Sequence, residues 1–293
     1  EKIGITMDEV DKTRSFIEAI KTNISNCKET EATWENQDQA FTWLVDNVRK
    51  ATDGDTEWDQ EFESGSRSYL LNFQASSVSA KGEQESFSFS FDLNDINPKA
   101  INLKISGKSL IVEVPIKESK RLIKLSTDSG TEFSNKMLIY SNEIEQARQI
   151  VNALIYMVSN VTSERQTWDT YGASLEFVKA NSAEVKIGEE LFSNSISYEE
   201  SSSGLVNLEV NFKSDGNTEK TQYAFYLTDM ASKLELEVSK TSITVEMLTK
   251  NKRKYVREHE GGIISAYSSS VDFHVTDIDL ARDIIKALEQ AIG

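Results

Sequence analysis

The side chains able to do covalent or metal chemistry are few. The 293 residues contain two histidines, His259 and His274, and one cysteine, Cys27. A nucleophilic machine needs a base within hydrogen-bond reach of the nucleophile. His259 stands in the turn-like run Glu258-His-Glu-Gly-Gly, His274 stands in a strand-like run, and Cys27 has no histidine near it in sequence. A single cysteine makes neither an intrachain disulfide nor a cysteine-based zinc site. Gly107-Lys108-Ser109 matches the end of a phosphate-binding P-loop, yet Asn102 occupies the position of that motif's first glycine, and the context is a turn between strands. Asp53-Gly-Asp55-Thr-Glu57-Trp-Asp59 alternates carboxylates as a calcium loop does. The glycine and the closing glutamate that an EF-hand requires are replaced by Trp58 and Ser64. No catalytic set, cofactor site or metal site is therefore expected, and the chain reads as non-enzymatic.

Charge is more informative. Asp and Glu number 48 against 32 Lys and Arg, a net charge of −16. Such a balance opposes nonspecific binding to nucleic acid and to anionic membranes. Against it stand two basic clusters, expected in hairpins after Val114 and after Met247. The first holds Lys117, Lys120, Arg121 and Lys124. The second holds Lys250, Lys252, Arg253, Lys254 and Arg257. Clusters of this kind suit an anionic ligand, such as a phosphorylated headgroup, an acidic glycan or an acidic protein surface. Lysines on a sheet edge that deter strand pairing would look the same.

The elements that must carry these clusters follow from an internal repeat. A helical pattern occurs three times, from Met7, Ser141 and Val275, with Val10, Ile144 and Ile278 in matching places at intervals of 134. Arg14, Arg148 and Arg282 match in the same way. A cation in the first turns of a helix opposes its dipole, so a salt bridge to a strand carboxylate such as Asp95 or Asp229 is expected. Ile144, Ala147, Ile150, Val151 and Leu154 form one apolar helix face, as do Ile278, Ala281, Ile284, Ile285 and Leu288. Asp8, Asn142 and Thr276 are the expected N-caps, each with an acid three residues on. Trp34 matches Trp168 on a shorter leading helix, and both read as packing anchors. Beyond Leu103 the spacing contracts to 133, and it recovers before the last helix.

Between the helices of each unit the apolar period falls to two. Tyr69–Phe73, Phe87–Leu93, Ile101–Ile105, Leu110–Val114, Leu122–Leu125 and Met137–Tyr140 alternate as half-buried strands do, with a weaker segment at Trp58–Phe62. Short turns such as Ser106-Gly107-Lys108 join them, which makes an antiparallel sheet. The fold class is therefore α+β: a tandem repeat of an antiparallel sheet or partly open barrel of about seven strands, with a leading helix and a capped C-terminal helix.

In its order of elements this unit resembles the pleckstrin-homology-like (PH-like) fold over residues 56–158 and 190–292. The run from Asp92 to Val114 also resembles segments of bacterial proteins without an assigned activity. The expected organisation is 1–25 as the tail of a preceding unit, 26–159 as the first complete unit and 160–293 as the second. A binding or scaffold role is expected, with a protein or acidic ligand as partner and no nucleic acid. The PH-like resemblance implies an alternative, recognition of an anion or phospholipid headgroup through the basic hairpins. An enzyme with an acidic site between the units is a further alternative. No run is long and apolar enough to be a transmembrane segment. Compartment (bacterial cytoplasm, or cell envelope after removal of an upstream signal) and oligomeric state are left open.

Overall fold

A computed structural model describes residues 33–293, apart from 183, 188–189, 200–203 and 215–216, together with residues 17–18. Contacts divide the chain into two compact units, Glu1–Thr33 and Trp34–Gly293. The second contains residues 34–159 of the first expected repeat unit and all of the second. The strand expected at Ile3–Thr6, the cap at Asp8 and the cation at Arg14 lie outside the described residues.

The first half of Trp34–Gly293 begins with helix α1 (Gln37–Asn47). The Asn36 side chain accepts from the Gln39 backbone N–H and so satisfies one orphan donor at its start. Nine strands follow: β1 (Ala51–Asp53), β2 (Thr56–Ser64), β3 (Leu70–Val78), β4 (Gln84–Asp92), β5 (Asn102–Ser106), β6 (Ser109–Pro115), β7 (Ile123–Thr127), β8 (Gly130–Ser134) and β9 (Lys136–Ser141). Helix α2 (Ile144–Ser159) closes this half. The second half runs α3 (Tyr171–Ala180), β10 (Glu184–Ile187), β11 (Glu190–Tyr198), β12 (Leu205–Ser214), β13 (Asn217–Tyr226), β14 (Glu235–Val238), β15 (Ile243–Leu248), β16 (Val256–Glu260), β17 (Ile263–Ser268), β18 (Ser270–Val275) and α4 (Ile278–Ile292). No described helix is long and apolar enough to cross a membrane.

The α+β class and the antiparallel sheets are as expected. Each half has a six-stranded sheet, ordered β1-β2-β3-β4-β7-β8 or β10-β11-β12-β13-β16-β17, and a three-stranded one, ordered β5-β6-β9 or β14-β15-β18. Among the described residues each half has nine strands where about seven were expected. The additions are β1 and β10, which are short, and β8 and β17. Gly130-Thr-Glu-Phe-Ser has a single apolar residue and thus no period to read. The basic segments are also not hairpins. They carry the chain from the three-stranded sheet to the middle of the six-stranded one, where β7 lies between β4 and β8, so edge protection does not explain their lysines. In each, two consecutive non-glycine residues are left-handed, Glu118 and Ser119 in one, Asn251 and Lys252 in the other.

Alternation places Leu71, Phe73 and Ala75 of β3 inward, against Ala147, Ile150 and Leu154 of α2 in one apolar cluster. Two buried amides join the sheets. Gln60 Nε2 donates to the Tyr140 carbonyl at 2.9 Å, and Gln60 Oε1 accepts from the Tyr140 N–H at 2.8 Å. In the second half Asn194 Nδ2 donates to the His274 carbonyl at 2.8 Å. A side-chain amide thus replaces a ladder bond between β2 and β9, and between β11 and β18.

The helix starts differ from the expected caps. Asn142 accepts from the Thr52 N–H at 2.8 Å, tying β1 to the end of β9, and α2 begins after Glu143. Asp277, not Thr276, caps α4 and accepts from the Asp279 and Leu280 N–H groups. An acid binds two donors there and also favours the positive helix end. Gln60→Ala leaves the Tyr140 N–H and carbonyl unpaired in a buried seam. It is expected to destabilise the protein by about 2–4 kcal/mol, read as a lower urea midpoint.

Candidate functional site

The two halves meet through charge. Asp92 ends β4, Asp95 lies in the 3₁₀ turn Leu93–Asp95, and Asp279 and Asp283 lie in the first turns of α4. The side chains of Asp92 and Asp283 are only 4% and 3% exposed. Carboxylates so placed need cations with good hydrogen-bond geometry. Arg282 reaches Asp92 at 3.0 Å and Asp95 at 2.5 Å. Arg67, in the β2–β3 turn, reaches Asp283 at 2.5 Å and Asp279 at 3.0 Å. Arg165, from the link between the halves, reaches Asp279 at 2.7 Å and both Asp92 and Asp283 at 3.1 Å. Its guanidinium lies over the Tyr69 ring. Burial holds the Asp95 carboxyl above its ordinary range despite Arg282. The hydrogen bonds that Arg67 donates to Asp283, first, and to the Tyr69 hydroxyl raise its pKa further, so it stays charged. The adjoining cavity, of about 40 Å³, has little room beyond a water.

The expected pairing of the helix arginines is met at Arg282, with the difference that its partners belong to the other half. Arg148 instead makes an exposed contact of 3.5 Å to Glu145 on its own helix, and Asp229 has no ion-pair partner among the described residues. The reason is positional, because Arg282 has the first half's carboxylates in front of it.

The register of the strands pairs positions in the two halves, and the pairing isolates a surface. Asp92 opposes Leu70 as Tyr226 opposes Leu205. Phe133 opposes Lys124 as Tyr267 opposes Arg257, and one residue before each of Ile123 and Val256 stand Leu122 and Tyr255. In the first half these positions are covered. Leu122 lines the cavity with Ile278 and Arg282, and the Phe133 N–H donates to the Lys240 carbonyl at 2.7 Å, while Lys240 reaches Glu132 at 2.8 Å. The corresponding tyrosines of the second half are open: Tyr255 is 42% and Tyr267 52% exposed, against 9% for Leu122 and 4% for Phe133. Ile264, at 43%, extends this face along the outer strand β17, while Ile263, at 75%, is exposed on the opposite side of that strand.

The basic residues singled out in the sequence divide between framework and surface. Lys117 Nζ donates to the Asn94 carbonyl at 2.6 Å and Lys250 Nζ to that of Thr228 at 2.7 Å, so both tie the crossover to a 3₁₀ turn. Arg121 donates to the Phe133 carbonyl, Lys120 pairs with exposed Glu118, and Lys124 lies 4.0 Å from Asp277 across the junction. The second cluster borders the tyrosine face. Arg253 donates to the Tyr255 hydroxyl at 2.8 Å, and Arg257 lies over the Tyr226 ring, 5.8 Å from its centre. Lys252 and Lys254 are exposed, and their side chains make no ion pair or hydrogen bond with described residues.

Tyr226, Tyr255 and Tyr267 were not anticipated from sequence. The signal lay in comparing the two halves, where tyrosines stand at the positions of an acid, a leucine and a phenylalanine. Arg67 and Arg165 were also missed, because neither has a periodic neighbour to mark it.

Other places have less to offer chemically. A pocket of about 270 Å³ between the sheets of the first half is lined by Trp58, Phe87, Phe89 and Tyr140, with Trp58 stacked on Tyr140 at 4.4 Å. A polar cleft of about 590 Å³ between the halves is lined by Lys124, Lys186 and several hydroxyls. His274 packs on Phe192, and burial lowers its pKa. Glu235, Glu237 and Glu246 bring carboxylates within 4.8 Å of one another. In the first half Lys104 and Lys136 hold the corresponding Glu113 at 2.8 and 3.2 Å. Both Trp34 and Trp168 pack on helix aromatics, Trp43 and Phe177, as anchors do. Compared with known proteins, the chain matches no family model, no curated protein and no solved structure.

Arg282→Ala strips two buried carboxylates of a partner and is expected to cost about 3–5 kcal/mol. Arg148→Ala at the matching helix position, an exposed pair, is expected to cost less than about 0.5 kcal/mol. Paired urea titrations of the two variants check this.

Proposed function

We propose that the protein is a non-enzymatic binding or scaffold protein, built from two copies of one PH-like α+β unit, which engages a protein partner through the second unit. The observation that carries this reading is the exchange at matching positions. Residues buried at the junction in the first half have aromatic, open counterparts in the second. Tyrosine and arginine are the residue types that concentrate at protein interfaces, since they offer large contact area with few rotors and a polar end. Arg253 and Arg257 are held against tyrosines, so part of their ordering precedes any partner.

The reading as two copies is supported by the matched strand orders and the matched closing helices, and PH-like describes sheets closed by one C-terminal helix. The non-enzymatic reading is supported by the occupation of the junction carboxylates by three arginines. In retention assays with extract of the source organism, wild-type protein is expected to hold a partner that the Tyr255→Ser, Tyr267→Ser double variant loses by about tenfold or more. Equal retention by a double variant of unchanged stability would sink the proposal.

Lys252 and Lys254 favour a second reading, in which the crossover segment recognises an anionic group. Reversal of Arg253 and Lys254 to Glu is then expected to abolish sedimentation with phosphatidylserine vesicles at low salt. Wild-type protein that fails to sediment overturns that reading, which the net charge of −16 already opposes.

A further inference from the structure

The tyrosine face has a complement on the same chain. Apart from Val78 and Ile263, every large apolar or aromatic residue exposed among the described residues of Trp34–Gly293 falls on one of two surfaces. One is the face just described, with Tyr226, Tyr255, Ile264 and Tyr267. The other is the opposite end of the series, where Ile105 and Ile144 are 65% and 47% exposed. Ile144 matches Ile278, which is 7% exposed because the first half covers it.

The junction inside the chain defines what fits these surfaces. There the start of α4 presents Asp277 toward Lys124, Ile278 beside Leu122, and Arg282 to Asp95. The start of α2 carries Glu143, Ile144 and Arg148 in the corresponding order. The open face of the second half carries Arg257 where Lys124 stands, Tyr255 where Leu122 stands, and Asp229 where Asp95 stands. The charges are complementary at both outer positions. Likewise the β14–β15 turn, whose Lys240 carbonyl takes the Phe133 N–H of β8, corresponds to the Gly107 turn between β5 and β6, next to exposed Ile105. The edge of β17 offers the Tyr267 N–H at the place of Phe133.

We infer that the open face of the second half docks the start of α2 from a second copy of this chain, repeating between molecules the contact that joins the halves within one. This rests on the binding reading above and names its partner. The contact is heterologous, joining the front of one molecule to the back of the next, so it grows into chains rather than stopping at a symmetric dimer.

The test is sedimentation velocity over about a hundredfold range of concentration, where a heterologous contact extends assembly as concentration rises. Wild-type protein is expected to exceed the monomer mass increasingly. Ile144→Asp disables the front and Tyr255→Asp the back. Both side chains are exposed, and each variant alone is expected to stay monomeric with an unchanged melting temperature. Mixed, the two retain one intact front and one intact back, and they are expected to form a dimer that grows no further. Substitution of Val78 by Asp, outside both surfaces, is expected to leave assembly as in wild type. Wild-type protein that stays monomeric throughout, or self-association that survives either variant, overturns the inference. If wild-type protein is monomeric while Tyr255→Ser, Tyr267→Ser still loses a different partner, the binding reading stands and the self-docking inference alone falls.

Discussion

Burying a carboxylate is tolerable only where its charge is answered, and the junction carboxylates impose that condition on the whole of Trp34–Gly293. Asp92 and Asp283 lose nearly all contact with water, so Arg67, Arg165 and Arg282 must reach them from three separate elements. Each arginine has a planar fork that suits two acceptors: Arg165 bridges carboxylates from both halves, and Arg282, itself on α4, holds two from the first half. The result is a bond network with little freedom in how α4 sits against β4 and the β2–β3 turn. Removing any one partner strands the others, which makes the contact specific as well as adhesive.

The same condition explains why equivalent helices behave differently. Arg148 and Arg282 occupy the same place in matched patterns, yet only Arg282 has acids before it. Tyr226 replaces Asp92 at the second unit's outer end, and Arg257 lies over its ring where Lys124 faces Asp277. The second half thus presents a version of the first half's contact surface in which one acid has become an aromatic ring. Glu246 makes a similar point in reverse. Burial and the acids at Glu237, Asp272 and Glu235 raise its pKa, whereas lysines keep its counterpart Glu113 low.

Much of the fold was legible in sequence because it rests on periods. The helix faces of α2 and α4 and the alternation in β3, β6 and β9 follow from apolar spacing alone. Strands β8 and β17 were not legible, since one has a single apolar residue and the other turns its isoleucines and tyrosine outward. The caps were misplaced by one residue, because Asn142 is drawn to the Thr52 N–H by a contact distant in sequence. The basic segments were found, but their geometry was not. Whether Lys117 holds a carbonyl or faces solvent depends on a 3₁₀ turn that no local pattern announces. The tyrosine face required the strands of the two halves to be matched, which their register supplies and a sequence spacing that shifts between 134 and 133 does not.

Two chemistries hold this molecule together, and they differ in how far a single loss reaches. The amides of Gln60 and Asn194 are neutral and each serves one half, so losing one leaves a donor or an acceptor unpaired within a single seam. The junction is built of charges shared between the halves, so losing one arginine leaves a buried carboxylate unanswered on the other side. A change in a seam is therefore felt by one pair of sheets, and a change at the junction by the placing of the two halves.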